Sequence, residues 1–324
     1  MFDRKKVTYF ILKNLSPNRR DFVLGLKRFN LKKRECPDRQ LFIMFCDGQN
    51  FHGGLTDRFK GIVSTFHYCL CKGIEFRINH TCPFNLSDFL TPHKYNWELT
   101  YPSDKISNHL FEAKYLNIIG ETTSKRLINL KTKKQIHCYA NSNIVPELNA
   151  YYHADYEWGK LFKVLFRPTQ ELMDLVYECK SKIAGEYICA VFRFQQLLGD
   201  FKEYQYAELS DIEKSELIQK CKQATINLQN TSDCKKILVT SDSVSFLKMI
   251  SDRPDIYTFP SKVVHIDTVE GESHKVYLKS FLDFYLLSEG TKIYSIGTKE
   301  MYPSEFPLYA SKLNNIPFER ILIV

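Results

Sequence analysis

No apolar run in the 324 residues reaches the roughly 18 that a membrane-crossing helix needs. The opening segment MFDRKKVTYFILKNLSPNRR has a short apolar stretch and no small-residue cleavage site, so it does not read as a secretory leader. The expectation is a cytoplasmic protein. Cys-x-x-Cys is also missing: ten cysteines stand singly apart from the pair Cys69 and Cys71, the nine histidines are dispersed, and no spacing supports a structural zinc site. Most of the cysteines lie inside apolar runs such as LFIMFCDG and YICAVFRF, the setting of packed, reduced thiols. A third absence is Asp-x-Asp, the commonest carboxylate pair for holding a divalent metal against a diphosphate, so no metal site is expected.

A length of 324 residues exceeds one ordinary hydrophobic core, and 44% hydrophobic residues are enough to fill two. The net charge of +8 is concentrated at one end. Residues 1–36 carry eleven Lys or Arg against three acids, and the remainder holds 34 of each sign. Such a basic end is either a solvated face or a contact for an anionic membrane surface or a lipid-phosphate-linked molecule. Its aromatics are not interleaved with the charges, which argues against nucleic acid as a partner.

Periodicity predicts strands alternating with helices, hence an α/β fold with parallel sheets. In the first half, 40–46 is a buried-strand run, 57–71 places Phe59, Ile62, Val63, Phe66, Cys69 and Leu70 on one helix face, and EFRIN is the next strand. Residues 82–149 show no dominant period. The span 157–182 reads as helix interrupted at Arg167-Pro168, which sets a domain boundary: 1–165 and 166–324. The second half reads as strand 187–194, helix 209–228, strand KILVT, helix 244–250, strands IYTF and KVVHI, helix 274–287, strand KIYSI, a helix near 305–313 and the terminal strand RILIV. In such a doubly wound succession the turns after Phe194, Thr240 and Ile296 converge on one crevice.

Three segments at those strand ends carry chemistry. Gly53-Gly54-Leu55-Thr56-Asp57-Arg58 leads into a helix N-terminus, where amides and dipole favour an anion, although a tight strand-to-helix turn needs the same glycines. Arg193 ends an apolar strand, where a cation wants a carboxylate, an anionic ligand or solvent. Thr240-Ser241-Asp242-Ser243 follows strand KILVT and suits a helix cap or a ribose. Cys71 to Arg77 has the Cys-x5-Arg spacing of cysteine phosphatases, but the cysteine falls within a helix pattern and not in a phosphate loop.

Taken in order, GGLTDRFKGIVSTF before EFRIN, then LVTSDSVSFLKMI, then LDFYLLSEGTKIYSIGTKEMYPSEFPLYASKL resemble the motifs of the GDP-fucose-dependent fucosyltransferases, from about Phe42 to Leu313. The resemblance implies two facing Rossmann-like lobes of the GT-B type, with the N-terminal lobe meeting the acceptor and the C-terminal lobe binding nucleotide. It matches Arg193 to the arginine at the β-phosphate, Asp242 and Ser243 to the nucleotide-side turn, Ser295 and Thr298 to hydroxyls near the diphosphate, and Asp283 to an acidic helix residue. Gly53, Gly54 and Arg58 fall on the donor side. The sequence departs from the family's His-x-Arg-Arg-x-Asp pattern: Val191 stands at the histidine and Phe194 at the second arginine, and the next acid is Asp200.

The implied activity is inverting transfer of fucose from GDP-fucose to a glycan acceptor, without metal or other cofactor. Arg193, hydroxyls and a helix N-terminus would stabilise the departing diphosphate. Candidate bases for the acceptor hydroxyl are Asp57, His52 and, further off, Asp200. Two alternatives remain: a transferase for another nucleotide sugar, and a non-catalytic module binding glycan or an anionic surface.

Overall fold

The computed structural model describes residues 14–31, 40–49, 52–100, 105–119, 123–200, 208–260 and 273–323. The chain divides into two compact units, Met1–Arg167 and Pro168–Val324. The N-terminal unit contains helix α1 (Pro17–Arg28), strand β1 (Leu41–Cys46), helix α2 (Leu55–Lys72), strand β2 (Glu75–His80), short strand β3 (Leu90–Pro92) and strand β4 (Ala113–Ile118). Helix α3 (Thr123–Ile128), strand β5 (Gln135–Ala140), helices α4 (Val145–Tyr152) and α5 (Trp158–Leu165) and short strand β6 (Phe166–Pro168) follow. Its four-stranded sheet has the order β2-β1-β5-β4, with every pair parallel. From β1 the chain steps outward to β2, then crosses over and returns through β4 to β5. That reversal opens a switch point at the carboxyl ends of β1 and β5.

Strand β1 is apolar at every position because both of its faces are covered. Helix α2 packs on this sheet, and Gly61 is what permits the approach: a Cβ there would overlap the carbonyl of Ala140 and stand 3.0 Å from Met44 Cε. The helix stops at Gly73, whose φ of +63° makes the left-handed cap that glycine adopts without strain. The aperiodic stretch 82–149 supplies β4 and β5, whose apolar runs are interrupted by Lys114 and Asn117 and by Gln135 and His137. Where sequence suggested one interrupted helix over 157–182, the structure has two, α5 and a following helix, separated by β6 at the proline.

The C-terminal unit runs α6 (Gln170–Ile183), β7 (Ile188–Phe192), α7 (Asp211–Thr231), β8 (Ile237–Ser241), α8 (Val244–Ile250), β9 (Ile256–Tyr257), α9 (His274–Ser288), β10 (Ile293–Gly297), α10 (Phe306–Asn314) and β11 (Phe318–Leu322). The expected strand KVVHI at 262–266 lies outside the described residues. The sheet order is β11-β10-β7-β8-β9, again all parallel. The first strand, β7, sits centrally between β8 and β10, so the switch point falls at the carboxyl ends of β7 and β10. A capping box between Ser210 and Glu213 starts α7 at Asp211, two residues after the position the pattern gave. Beneath the tips, Phe246 packs against Phe192 and Phe194, with ring centroids 4.9 and 5.0 Å away. Phe194, the residue at the family's second arginine, is therefore a core side chain.

All nine cysteines among the described residues are free thiols, six of them fully buried. Part of the basic N-terminal surplus turns inward. Arg20 donates to the Asn117 carbonyl at 3.2 Å, and Arg28 is buried in an ion pair described below. Among the described residues no helix is long and apolar enough to cross a membrane.

Candidate functional site

In the C-terminal unit the strand tips gather most of the residues singled out from the sequence. Strand β7 ends at Phe192, so Arg193 is the first residue beyond it and not an interior strand residue. Its guanidinium Nη1 lies 2.9 Å from Oδ2 of Asp242, just past the neighbouring β8. The Asp242 side chain is 2% exposed and also accepts the backbone N–H groups of Phe194 (2.9 Å) and Gln195 (2.7 Å). A carboxylate this deep is tolerable only with such donors around it. Both oxygens face protein donors, so Asp242 shapes the loop and aims Arg193. Arg193 keeps 22% of its side chain exposed.

Ser243 caps α8, accepting the Phe246 N–H at 3.1 Å, and its hydroxyl donates to Asp200. Asp200 also accepts from the Ser245 hydroxyl (2.5 Å) and the Ser245 N–H (3.1 Å). Asp242 and Asp200 thus pin residues 194–200, just after β7, onto the β8–α8 turn. On the other flank Ser295 pairs with Val191 in register, and Thr298 is buried one residue past β10. Arg193, Asp242, Ser243, Ser295 and Thr298 therefore come from three neighbouring strands. Asp283 is placed differently: it lies mid-helix in α9, where burial raises its pKa and Lys279, one turn earlier, pairs with it and opposes the rise.

One residue of this loop had no signal in the sequence. Gln195 adopts a φ of +53°, is buried, and has its carboxamide Oε1 shielded from solvent with no hydrogen-bond partner.

In the N-terminal unit the corresponding turn follows β1. Asp47 receives the Arg28 Nη2 donor at 2.7 Å, while Arg28 also donates to Gln49 Oε1 (3.2 Å) and His137 Nδ1 (3.2 Å) and stacks 3.7 Å from the Phe45 ring centroid. Burial alone would raise the Asp47 carboxyl, but the His52 ring and the Arg28 guanidinium hold it at about 2. His52 Nε2 accepts from the Gly48 N–H at 3.3 Å and lies 3.8 Å from Asp47, its ring is edge-on to Tyr139 at 4.6 Å, and its buried Nδ1 has no partner. Burial pushes the His52 pKa down, so the ring is neutral near pH 7. Sequence reasoning missed Asp47 and Arg28; the Asp-Gly pair closing β1 was the available signal.

The glycine turn is held from inside. The Gly53 N–H donates to Tyr139 Oη at 2.6 Å, and the buried Arg58 donates to the carbonyls of Gly53 (2.9 Å) and Cys82 (2.6 Å). Arg58 therefore braces this turn. Gly53 has no room for a Cβ, which would strike the Asp57 side chain, whereas Gly54, the N-cap of α2, has open space. Asp57 is the exposed member, 40% accessible in the first turn of α2 and 2.7 Å from Lys60 Nζ. The structure thus gathers His52, Gly53, Gly54, Asp57 and Arg58 at one switch point and the arginine group at the other. Among the described residues, no cluster of three or more His, Cys, Asp or Glu side chains has the arrangement of a metal site.

No protein-family model matches the chain, and no curated protein matches it by sequence. Solved structures do match in fold. An Arabidopsis thaliana FUT1 mutant in complex with GDP aligns at 16% identity and a TM-score of 0.54, over 97% of this chain and 77% of that one. NodZ alpha-1,6-fucosyltransferase co-crystallised with GDP aligns at 12% identity and a TM-score of 0.52, over 84% and 92% of the two chains. Fucosyltransferase NodZ from Bradyrhizobium, as the selenomethionine protein, aligns at 11% identity and a TM-score of 0.51, over 84% and 91%. By its two parallel-sheet α/β units, the chain has the GT-B-type fold of the fucosyltransferases.

Proposed function

We propose that this chain is a glycosyltransferase that takes its sugar, most simply fucose, from a guanosine diphosphate donor, with inversion and without a bound metal. The observation that supports this most directly is Arg193, fixed by the buried Asp242 at the tip of the central strand β7, beside the switch point where doubly wound sheets take ligands. The solved structures sharing the fold include proteins holding GDP. In the proposed step the oxygen of an acceptor hydroxyl bonds to the anomeric carbon. The bond from that carbon to the β-phosphate oxygen breaks, its electron pair leaves with GDP, and the acceptor proton passes to a protein base. Arg193 meets the charge that builds on the leaving diphosphate, supported by hydroxyls of Ser295 and Thr298, while Asp242 and Ser243 hold the nucleotide-side turn in shape. A fixed guanidinium costs no reorganisation in that step, which is why its anchoring by Asp242 matters.

The C-terminal unit would bind the nucleotide and the N-terminal unit would meet the acceptor, with its Gly53-Gly54 turn on the donor side. His52 and Asp57 are the two base candidates we retain, because Asp200 is occupied by the donors of the α8 terminus. They are told apart by pH: a carboxylate base keeps activity to lower pH than an imidazole. Peripheral contact of the basic N-terminal segment with an anionic surface and a cytoplasmic location remain part of the proposal.

The test is direct. GDP, but not UDP or CMP, should raise the melting temperature without divalent metal, and Arg193→Ala should cut GDP release from GDP-fucose by about a hundredfold or more while leaving the fold intact. Unchanged turnover in that variant refutes the role of Arg193. No response to any nucleotide refutes the donor assignment and favours a binding module.

A further inference from the structure

Gln195 is a residue of the strand tips whose buried side-chain oxygen nothing within the protein satisfies. Five non-glycine residues among those described have positive φ. His153, Ala184 and Asn315 are left-handed helix caps, where the conformation satisfies the last carbonyls of a helix. Asp255 belongs to a residue type whose short polar side chain eases this region. Gln195, at φ +53°, is neither, and it stands three residues past the end of β7. The conformation is imposed from the side: Asp242 draws in the N–H groups of Phe194 and Gln195 together, and Phe194 is anchored in the core against Phe246. A non-glycine residue held there stores strain, which persists where the surroundings over-determine it and gathers at ligand sites.

The side chain compounds the cost. Gln195 is 5% exposed, and its Oε1 is buried without a hydrogen-bond partner. An unsatisfied buried amide oxygen is expensive, and a glycine at this position would remove both the strain and the orphan. The two costs fall on one residue, next in the chain but one to Arg193, at the switch point of the sheet. A diphosphate at Arg193 is an acceptor at neutral pH and cannot satisfy an amide oxygen. The groups nearest the diphosphate that can are hydroxyls, which a nucleotide sugar carries on both sides of it; the guanine N–H groups lie beyond the ribose.

We propose that Gln195 is a donor-recognition residue whose carboxamide oxygen accepts a hydrogen bond from a hydroxyl of the bound nucleotide sugar, either on the ribose or on the transferred hexose. This rests on the assignment of the C-terminal strand tips as the nucleotide site. The sequence conceals it, because a glutamine has no preference for the left-handed region and none for a strand end.

The decisive variant is Gln195→Gly, since glycine accepts the backbone conformation and isolates the side chain. Affinities for GDP, 2′-deoxy-GDP and GDP-fucose are measured by calorimetry on the full chain, with the melting temperature of each protein recorded. The expected result is a variant that melts at or above the parent temperature and binds more weakly by about tenfold, the size of one hydrogen bond. If the ribose is the partner, GDP and GDP-fucose weaken alike and the parent's preference for GDP over 2′-deoxy-GDP disappears. If the hexose is the partner, only GDP-fucose weakens. A variant that binds all three as the parent does overturns the assignment of Gln195 while leaving the nucleotide site standing. A parent chain that binds none of them overturns both.

Discussion

Replacing Asp242 by asparagine separates the loop-holding function of that carboxylate from its shape. In the native protein the two carboxylate oxygens accept the N–H groups of Phe194 (2.9 Å) and Gln195 (2.7 Å), and the second also pairs with Arg193 at 2.9 Å. An amide keeps one acceptor and puts an NH₂ where the other was, so a buried backbone N–H and the guanidinium both face a donor. An unsatisfied buried N–H costs about 1–3 kcal/mol. Breaking a fully buried ion pair costs about 3–5 kcal/mol, but Arg193 retains 22% exposure and can turn to water, which reduces that contribution to roughly 1 kcal/mol. The total is about 2–4 kcal/mol, a local opening equilibrium moved by roughly 30- to 1,000-fold. Hydrogen exchange at the Phe194 and Gln195 amides reads this directly. Both tryptophans, Trp97 and Trp158, lie in the N-terminal unit, so far-UV circular dichroism, to which the helices of the C-terminal unit contribute, should follow unfolding. A freed Arg193 should also lower turnover by about 10- to 100-fold through misplacement alone. Unchanged amide protection in Asp242→Asn, or a stability loss below about 0.5 kcal/mol, would refute the reasoning, because such small effects belong to surface positions.

Three further outcomes follow from the N-terminal unit. His67 is fully buried against Tyr156, with both ring nitrogens unpartnered and its pKa pushed down to about 4 by burial. His67→Phe should therefore stabilise the protein by about 1–2 kcal/mol at neutral pH, measured by denaturant titration, and a loss of stability would disprove the orphan state. The unfolded imidazole titrates near 6.5, above the folded value, so protonation favours unfolding as pH falls from about 6.5 to 4; the variant should lack about 3 kcal/mol of that acid destabilisation. Asp47 has the opposite sign. Its carboxyl sits at about 2 when folded against 3.8 otherwise, so it contributes about 2 kcal/mol above pH 4 that is lost between pH 4 and 2, and Asp47→Asn should flatten that window in an acid titration. Gly61→Ala drives a methyl group into the Ala140 backbone carbonyl, which cannot give way as a side chain can, and should cost about 3 kcal/mol or prevent accumulation of folded protein. A normally stable Gly61→Ala would show that α2 can lift from the sheet.

Sequence by itself determined the class of this protein and much of its inventory. Runs such as 41–46 and 237–239 are apolar at consecutive positions because parallel strands are covered on both faces, and α8 falls on Val244–Ile250 as its period indicated. The cluster at the tips of β7, β8 and β10 was legible for the same reason: doubly wound sheets bring carboxyl ends together. Strand order, and the orientation of each polar side chain at the tips, were decided only by tertiary structure. Arg28 reaches His137 across 109 residues, and Arg58 turns inward to two carbonyls although its motif suggested a ligand. Gln195 takes a conformation its residue type does not favour because Asp242, 47 residues away, holds its amide. Local pattern reports how much of a segment is covered. It carries no record of which distant donor or acceptor arrives, and at a site built from strand ends that arrival sets whether a charge braces the fold or faces a ligand.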